Sequence, residues 1–453
     1  MAAGAFVAAL WTVLTEAYSR GIAIWTENGV GHLLRYLIAV ARLTYLLRKQ
    51  RRHFEYLHPD KSDDLVSIGA VCAPVEWEKE CPCKKEHLKK VKDRVLFCGV
   101  NTEGDRVIAS VRRLRNDVAQ FWLTLYTSDG GLYVLPSSFT LDRSAGNNFS
   151  AAGLRLQCLA PNRRWRIAFN GLLKRRSGAG GTTELPEVHV KIGLIWSTVS
   201  HTLEIPAELC PAQLAADLAT LPLREMLRHI NKLIGDLDGH DQAGMMAGEL
   251  TIGGETKETC LWGYKVRTQG RITDGLETQE HHFGYLENGD MYHLVRTNNY
   301  GERNGILYGS VSSPSSKMQP VTYSLLRTED IGDSRCGKLH IQSGATVFAV
   351  KAKCHVPSFS LTGSDDSNQV ELTAVNLECG GNKGSGFVMH EKTQEPPTNM
   401  AAEQFKHKVL EEKHVPVVAP LVSDIQDACS KIPELTGGKG SSLAVLQSIA
   451  TEL

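Results

Sequence analysis

The feature that most constrains this chain is a rhythm of short apolar runs and turn residues that begins near residue 95. Val95–Val100, Arg106–Leu114, Gln120–Tyr126 and Leu132–Leu135 are mostly rich in β-branched or aromatic side chains. Asn101-Thr102-Glu103-Gly104, Arg115-Asn116 and Ser128-Asp129-Gly130-Gly131 separate them. Such residues supply positive φ or cap the backbone locally, so each break reads as a turn between strands. Leu154–Leu159, Trp165–Leu173 and Glu187–Ser197 continue the pattern, and Trp165, Ile167 and Phe169 alternate with Arg164, Arg166 and Ala168 as on a half-buried strand. A second stretch of similar texture runs from Gly248 to about Cys379, with Glu287-Asn288-Gly289-Asp290 as a strong hairpin turn. Trp165 with Gly171 and Trp262 with Gly270 suit equivalent strands of the two stretches. Between them, Met226, Leu227, Ile230, Leu233 and Ile234 recur at helical steps, and Pro222 divides residues 208–235 into two helices.

The pattern predicts a multidomain, mainly β protein with helical linkers, built on two antiparallel β-barrel or sandwich domains. The expected segments are a helical, membrane-proximal part at 1–52, a polar connector at 53–94 and a first β domain at 95–205. A helical bridge at 206–242 leads to a second β domain at 243–380, a Gly-, Pro- and Lys-rich linker at 381–414 and a final unit at 415–453.

At 453 residues and 42% hydrophobic, the chain has material for sizeable cores. Fifty basic residues balance fifty acidic ones, so no global field draws it to nucleic acid, and no such partner is expected. Eleven scattered cysteines, an odd number, suggest reduced thiols and an intracellular, cytoplasmic location. Cys81-Pro82-Cys83 lacks the second ligand pair of a zinc site, and the Asp236–Asp241 loop misplaces its glycine for calcium, so no metal site is expected. Asn148-Phe149-Ser150 is a lone glycosylation triplet.

Near the N-terminus, Met1–Thr15 is uncharged, and Leu33–Leu47 is apolar apart from Arg35 and Arg42. Arg35, Arg42 and Lys49 are seven apart and share a helical face. The pattern suits an amphipathic helix on a membrane surface. It suits still better a helix docked on the protein with its arginines solvated, and a true bilayer span is the third alternative.

The paired β stretches, their Trp-x-Phe-x-Gly-like strands and the helical bridge resemble the paired lipocalin-like barrels of carotenoid hydratases and related isomerases. In that family a His-x-Trp-Gly strand lies near the ligand cavity. Here His281-His282-Phe283-Gly284 is the nearest match, with Phe for Trp and no acidic partner placed by the sequence. The resemblance implies a pocket for an apolar ligand, with His281, His282 and Trp262 as its candidate residues.

The last fifty residues carry Leu435-Thr436-Gly437-Gly438-Lys439-Gly440-Ser441-Ser442-Leu443, with Leu446, Ile449, Ala450 and Leu453 on one following helical face. Glycines, a lysine and a helix start together suit a phosphate cradle, although the first glycine of a Walker loop is missing. The string resembles the opening of the ATP-grasp domain in phosphoenolpyruvate synthases, pyruvate phosphate dikinases and rifampicin phosphotransferases. The whole chain looks like the N-terminal part of their animal relatives. That resemblance implies an α+β ATP-grasp domain beginning at 415–453 and ATP phosphates on Gly437, Gly438, Lys439, Gly440 and Ser441. It further implies Mg²⁺ with ligands outside this chain, a small acceptor such as pyruvate, and a fragment inactive by itself. The competing expectations are a binding module for an apolar ligand and a hydratase- or isomerase-like enzyme.

Overall fold

The computed structural model describes residues 30–57 and 79–394, except 85, 115–117, 136–139, 144–148, 178–182, 273–275, 298–304, 315, 332–333, 345, 355–358 and 363–368. The ATP-grasp expectation at 415–453 and the linker beyond 394 lie outside the described residues.

The first β unit contains β1 (Asp93–Val100), β2 (Arg106–Arg113), β3 (Val118–Tyr126) and β4 (Leu132–Val134). After β5 (Thr140–Arg143), β6 (Phe149–Ala151) and β7 (Leu154–Ala160) come two long strands, β8 (Arg164–Ser177) and β9 (Thr183–Thr198). β10 (Leu203–Ile205) precedes the helical bridge, and β11 (Gly239–Ile252) and β12 (Glu255–Thr268) follow it. The antiparallel ladder runs β1-β2-β3-β4-β8-β9-β11-β12 and returns from β12 to β1, closing a barrel of eight strands. Alternate residues point inward, and Val95, Phe97, Phe121, Trp165, Ile167, Trp196, Leu194 and Leu261 meet in one buried cluster.

Sequence rhythm placed β11 and β12 with the later strands. They belong to the first barrel, where Tyr264 pairs with Cys98 and Trp262 with Val100. β12 also comes close enough to β1 that a Cβ on Gly263 would sit 1.7 Å from the Cys98 carbonyl oxygen.

The bridge consists of α2 (Pro211–Leu218) and α3 (Leu223–Asp236), with Pro222 capping the second as its spacing predicted. An earlier helix, α1 (Val30–Leu57), packs on both. Tyr36, Ala39, Val40, Leu43 and Leu47 form its buried face.

The second sheet contains β13 (Leu276–Leu286), β14 (Met291–Thr297), β15 (Ile306–Ser313), β16 (Ser316–Pro320) and β17 (Tyr323–Ile331). It continues with β18 (Ser334–Ser343), β19 (Thr346–Cys354), β20 (Phe359–Thr362), β21 (Gln369–Cys379) and β22 (Asn382–Gln394). Its order, β16-β15-β14-β13-β22-β21-β19-β18-β17, has no closing pair among the described residues, and the sheet is a curled half-barrel. One face carries Phe283, Tyr285, Met291, Val295, Tyr308, Phe387 and Met389 against the barrel's outer face and the helices. Leu286, Tyr292, Leu294, Val311, Ile341 and Leu377 fill its own concavity.

Candidate functional site

A closed barrel's lumen is where an apolar ligand is expected, yet here side chains fill it. The segment at 79–83 closes against the lumen. Arg267 donates to the Lys79 and Cys81 carbonyls, and Arg113 donates to that of Cys83. Glu80 is fully buried and pairs with Lys265, with His240 Nε2 3.3 Å away. Burial alone would raise the Glu80 pKa, but the charges of Lys265 and His240 outweigh it and hold the group well below the carboxylate range. Lys265 Nζ also lies 5.5 Å and 5.3 Å from the ring centroids of Trp165 and Trp196, a cation–π arrangement.

The sharper constellation lies outside the barrel, in the layer where the half-barrel covers it. Asp241 of β11 points outward because its neighbour His240 points inward. Its Oδ2 lies 2.8 Å from His293 Nδ1, and His293 Nε2 lies 3.1 Å from His281 Nδ1. The two imidazoles are stacked 11° from parallel, and all three residues are buried. A carboxylate oxygen only accepts, so Nδ1 of His293 donates to it. In the neutral ring His293 Nε2 then accepts from His281 Nδ1–H, which leaves the lone pair of His281 on Nε2. The Gln279 amide sits 3.3 Å from that atom and can turn its NH₂ toward it. Burial first, then the charges of His293, Arg94, His282 and His390, holds the His281 pKa well below the usual imidazole value, so the ring is neutral at physiological pH.

His281 separates two small cavities. The more polar one, of about 50 Å³, is lined by Lys92, Asp238, Asp241, Arg267 and Gln279 as well as His281, and by the apolar Ile205, Leu237, Val266 and Val295. An apolar one of about 20 Å³ lies among Leu96, Cys98, Ile108, Phe283, Phe387 and Met389, with His281 and His293. Two buried ion pairs brace the same seam: Lys92 with Glu277 at 2.5 Å and Arg94 with Glu391 at 2.6 Å. Burial pushes up the pKa of Asp238 at the edge of the polar cavity and takes the buried Cys98 thiol to about 12.

Of the residues picked from sequence, His281 is in this site and His282 is not. Neighbours on a strand face opposite ways, and His282 Nε2 instead meets Glu280 Oε1 at 2.5 Å on the other side of β13. Burial would raise the Glu280 pKa, but the hydrogen bond and charge of His282, with Arg296 and His390, take it down to about 2. Trp262 lies in the same inter-sheet layer but stacks on Tyr285, with centroids 5.8 Å and planes 8° apart, and does not line either cavity. Asp241 and His293 were not picked. Cys81 and Cys83 are half-buried free thiols, and no cluster suited to a metal occurs among the described residues. Gly437, Gly438, Lys439, Gly440 and Ser441 lie outside the described residues.

No curated protein matches the chain. Among solved structures it is similar to an AttH protein of Nitrosomonas europaea, with 10% identity over 74% of this chain and 99% of that one and a TM-score of 0.44. It is also similar to CghA, with 10% identity over 68% of this chain and 90% of that one and a TM-score of 0.39. The likeness to phosphoenolpyruvate synthases does not hold. The family model that fits the chain, over residues 45–388, is a different one. A Gly-Gly-Lys-Gly string is a generic turn signal, and with Leu443 and the short flanking stretch at 415–453 it is too little to fix a family. With it goes the reading of an ATP-dependent phosphotransferase. The match to the family model runs from residue 45 to 388, and the chain therefore belongs to the family of unknown function DUF8627.

Proposed function

We propose that this protein binds a small, largely apolar molecule at the seam between barrel and half-barrel, and that His281 exchanges a proton with it. The observation that carries the reading is the buried Asp241–His293–His281 chain ending at the polar cavity. Two buried imidazoles and a carboxylate are costly to desolvate. Aligned as a relay, they orient one neutral nitrogen as a base and disperse the charge it acquires. The reaction class this supports is non-redox proton transfer, as in isomerisation or hydration. A cavity of about 50 Å³ holds a few waters, so only the reacting end of a substrate enters it. Ile205, Leu237, Val266 and Val295 on the same cavity's wall suit an apolar end of such a molecule.

The test is to incubate the full chain with a panel of apolar carbonyl and polyene compounds in D₂O and follow binding by thermal shift and exchange by NMR. We expect at least one compound to stabilise the protein and gain deuterium, with exchange lost in His281→Gln and reduced in His293→Gln. Binding that is equal in wild type and His281→Gln, with exchange in neither, would leave a binding module and remove the proton-transfer reading. A bound compound whose contacts map to the barrel lumen would overturn the site itself.

A further inference from the structure

The helix α1 shows a second feature, unrelated to the seam. Its buried face rests on α2 and α3, and the residues opposite that face are Val30, Leu34, Leu37, Ala41 and Tyr45. They recur at steps of four, three, four and four, one line along the helix. All five are open to solvent, with Val30 at 67%, Leu34 at 58%, Leu37 at 37% and Tyr45 at 60% exposure. The basic line seen in the sequence does not occupy this outward face. Arg35 donates through Nε to the Ala219 carbonyl at 2.9 Å, and Arg42 reaches Asn231 at 3.2 Å. The arginines thus mark the flank where α1 meets the other helices, and the apolar line is left outward.

The charge beside that line is mostly basic, with exposed Glu225 of α3 as an acidic exception. Asn231, the partner of Arg42, lies between Arg228 and Lys232, which with Arg224 recur at four-residue steps on the exposed face of α3. Arg48, Lys49 and Arg51 follow the apolar line on α1. Upstream, Met1–Thr15 contains no charged residue. We propose that the outward face of α1 docks on an anionic membrane surface, with the helix lying in the plane of the headgroups and the basic flank facing lipid phosphates. An apolar face with basic edges is the pattern that interfacial helices use. Val30–Arg51 is long and apolar enough to span a bilayer. Spanning would strip Tyr36, Ala39, Leu43 and Leu47 from their buried contacts and leave the Arg35 and Gln50 bonds to Ala219 and Ile234 unmade. The in-plane arrangement keeps all of them.

The test is flotation of the full chain with vesicles of phosphatidylcholine containing roughly one-third phosphatidylserine, against phosphatidylcholine alone. We expect binding to the anionic vesicles that weakens in high salt and falls at least about tenfold when Leu34→Glu and Tyr45→Glu are combined. Reversing Arg228 and Lys232 together should weaken it by about fivefold or more per charge. Because the stripe points outward, the Leu34→Glu, Tyr45→Glu protein should melt at the wild-type temperature. Absence of flotation, or flotation unchanged by that pair, overturns the proposal. So does a sedimenting dimer that the same pair abolishes without any vesicle binding, which would assign the face to a second copy. Flotation that survives the pair but disappears when residues 1–29 are removed assigns binding to the upstream stretch alone and equally overturns it.

Discussion

Trp165 and Trp262 look alike in the sequence and have different surroundings. Trp165 is fully buried in the barrel, against Phe97, Phe149 and the ammonium of Lys265. Trp262 is half-buried and keeps one face on Tyr285. Trp165→Ala should therefore cost about 3–5 kcal/mol in denaturant unfolding, and Trp262→Ala about half as much. Equal losses would mean that the two rings are equally enclosed. A second residue-scale expectation concerns Asp217 in α2, whose carboxylate accepts the Leu307 amide of β15 at 2.9 Å. Burial raises its pKa to about 7 against the opposing pull of that bond, Gln213 and Arg296. A raised carboxyl pKa means that the folded state holds the proton more tightly. Its stabilising share is therefore full below the unfolded value of about 4 and is lost as pH rises toward 7. Asp217→Asn keeps an acceptor and cannot ionise, so relative to wild type it should gain on the order of a few kcal/mol between pH 4 and pH 8. Melting curves of the two proteins that run parallel across that range would show the carboxyl to be ordinary.

At the scale of elements, strands and helices were readable because their cause is local. Alternation, turn residues and Pro222 all act within a few positions. The pairing of strands was not readable, since it is decided by residues far apart, and β11 and β12 show the result: they look like the start of the second unit and complete the first. Gly263 is a mark of that pairing, because β12 lies so near β1 that a side chain there would meet the Cys98 carbonyl. Gly263→Ala should cost about 1–3 kcal/mol or more. A neutral effect on unfolding would argue that β12 can move off β1. The relay was hidden for a finer reason. A two-residue Asn-Gly turn would set His281 and His293 on opposite faces. The actual loop is Glu287-Asn288-Gly289, closed by Leu286 N–H to Asp290 O and Gly289 N–H to Leu286 O, with Gly289 at φ 89°. The extra residue shifts the register by one, so Phe283 faces His293 and both histidines share a side. One of the three relay residues, His281, was thus legible in the sequence. Asp241 and His293 were not, because nothing in the sequence states that register or brings β11 to β14.

Across the whole molecule the relay is also a joint. Asp241 belongs to the barrel and His293 to the half-barrel, and the pairs Lys92–Glu277 and Arg94–Glu391 cross the same boundary. Removing one partner leaves the other charged or polar group buried, so Glu391→Ala should destabilise by about 3–5 kcal/mol. Asp241→Asn and His293→Gln, measured singly and together, should show a coupling of about 0.5–3 kcal/mol in unfolding. Strict additivity would mean that the 2.8 Å contact does not hold the two units together.

The closure of the barrel has a consequence for how the protein is made. β9 ends at Thr198, while the strands that join it to β1 end only at Thr268, seventy residues later. At a synthesis rate of 5–20 residues per second, the sheet waits about 4–14 s with two unpaired margins. During that interval α2 and α3 emerge, and nothing in the ladder shields the edges of β1 and β9 from other nascent chains. Ribosome-held chains halted before Thr268 has emerged should therefore be cut by protease within 165–173, and chains halted later should not. Protection at the earlier stop would show that six strands can shut the barrel temporarily without their last two.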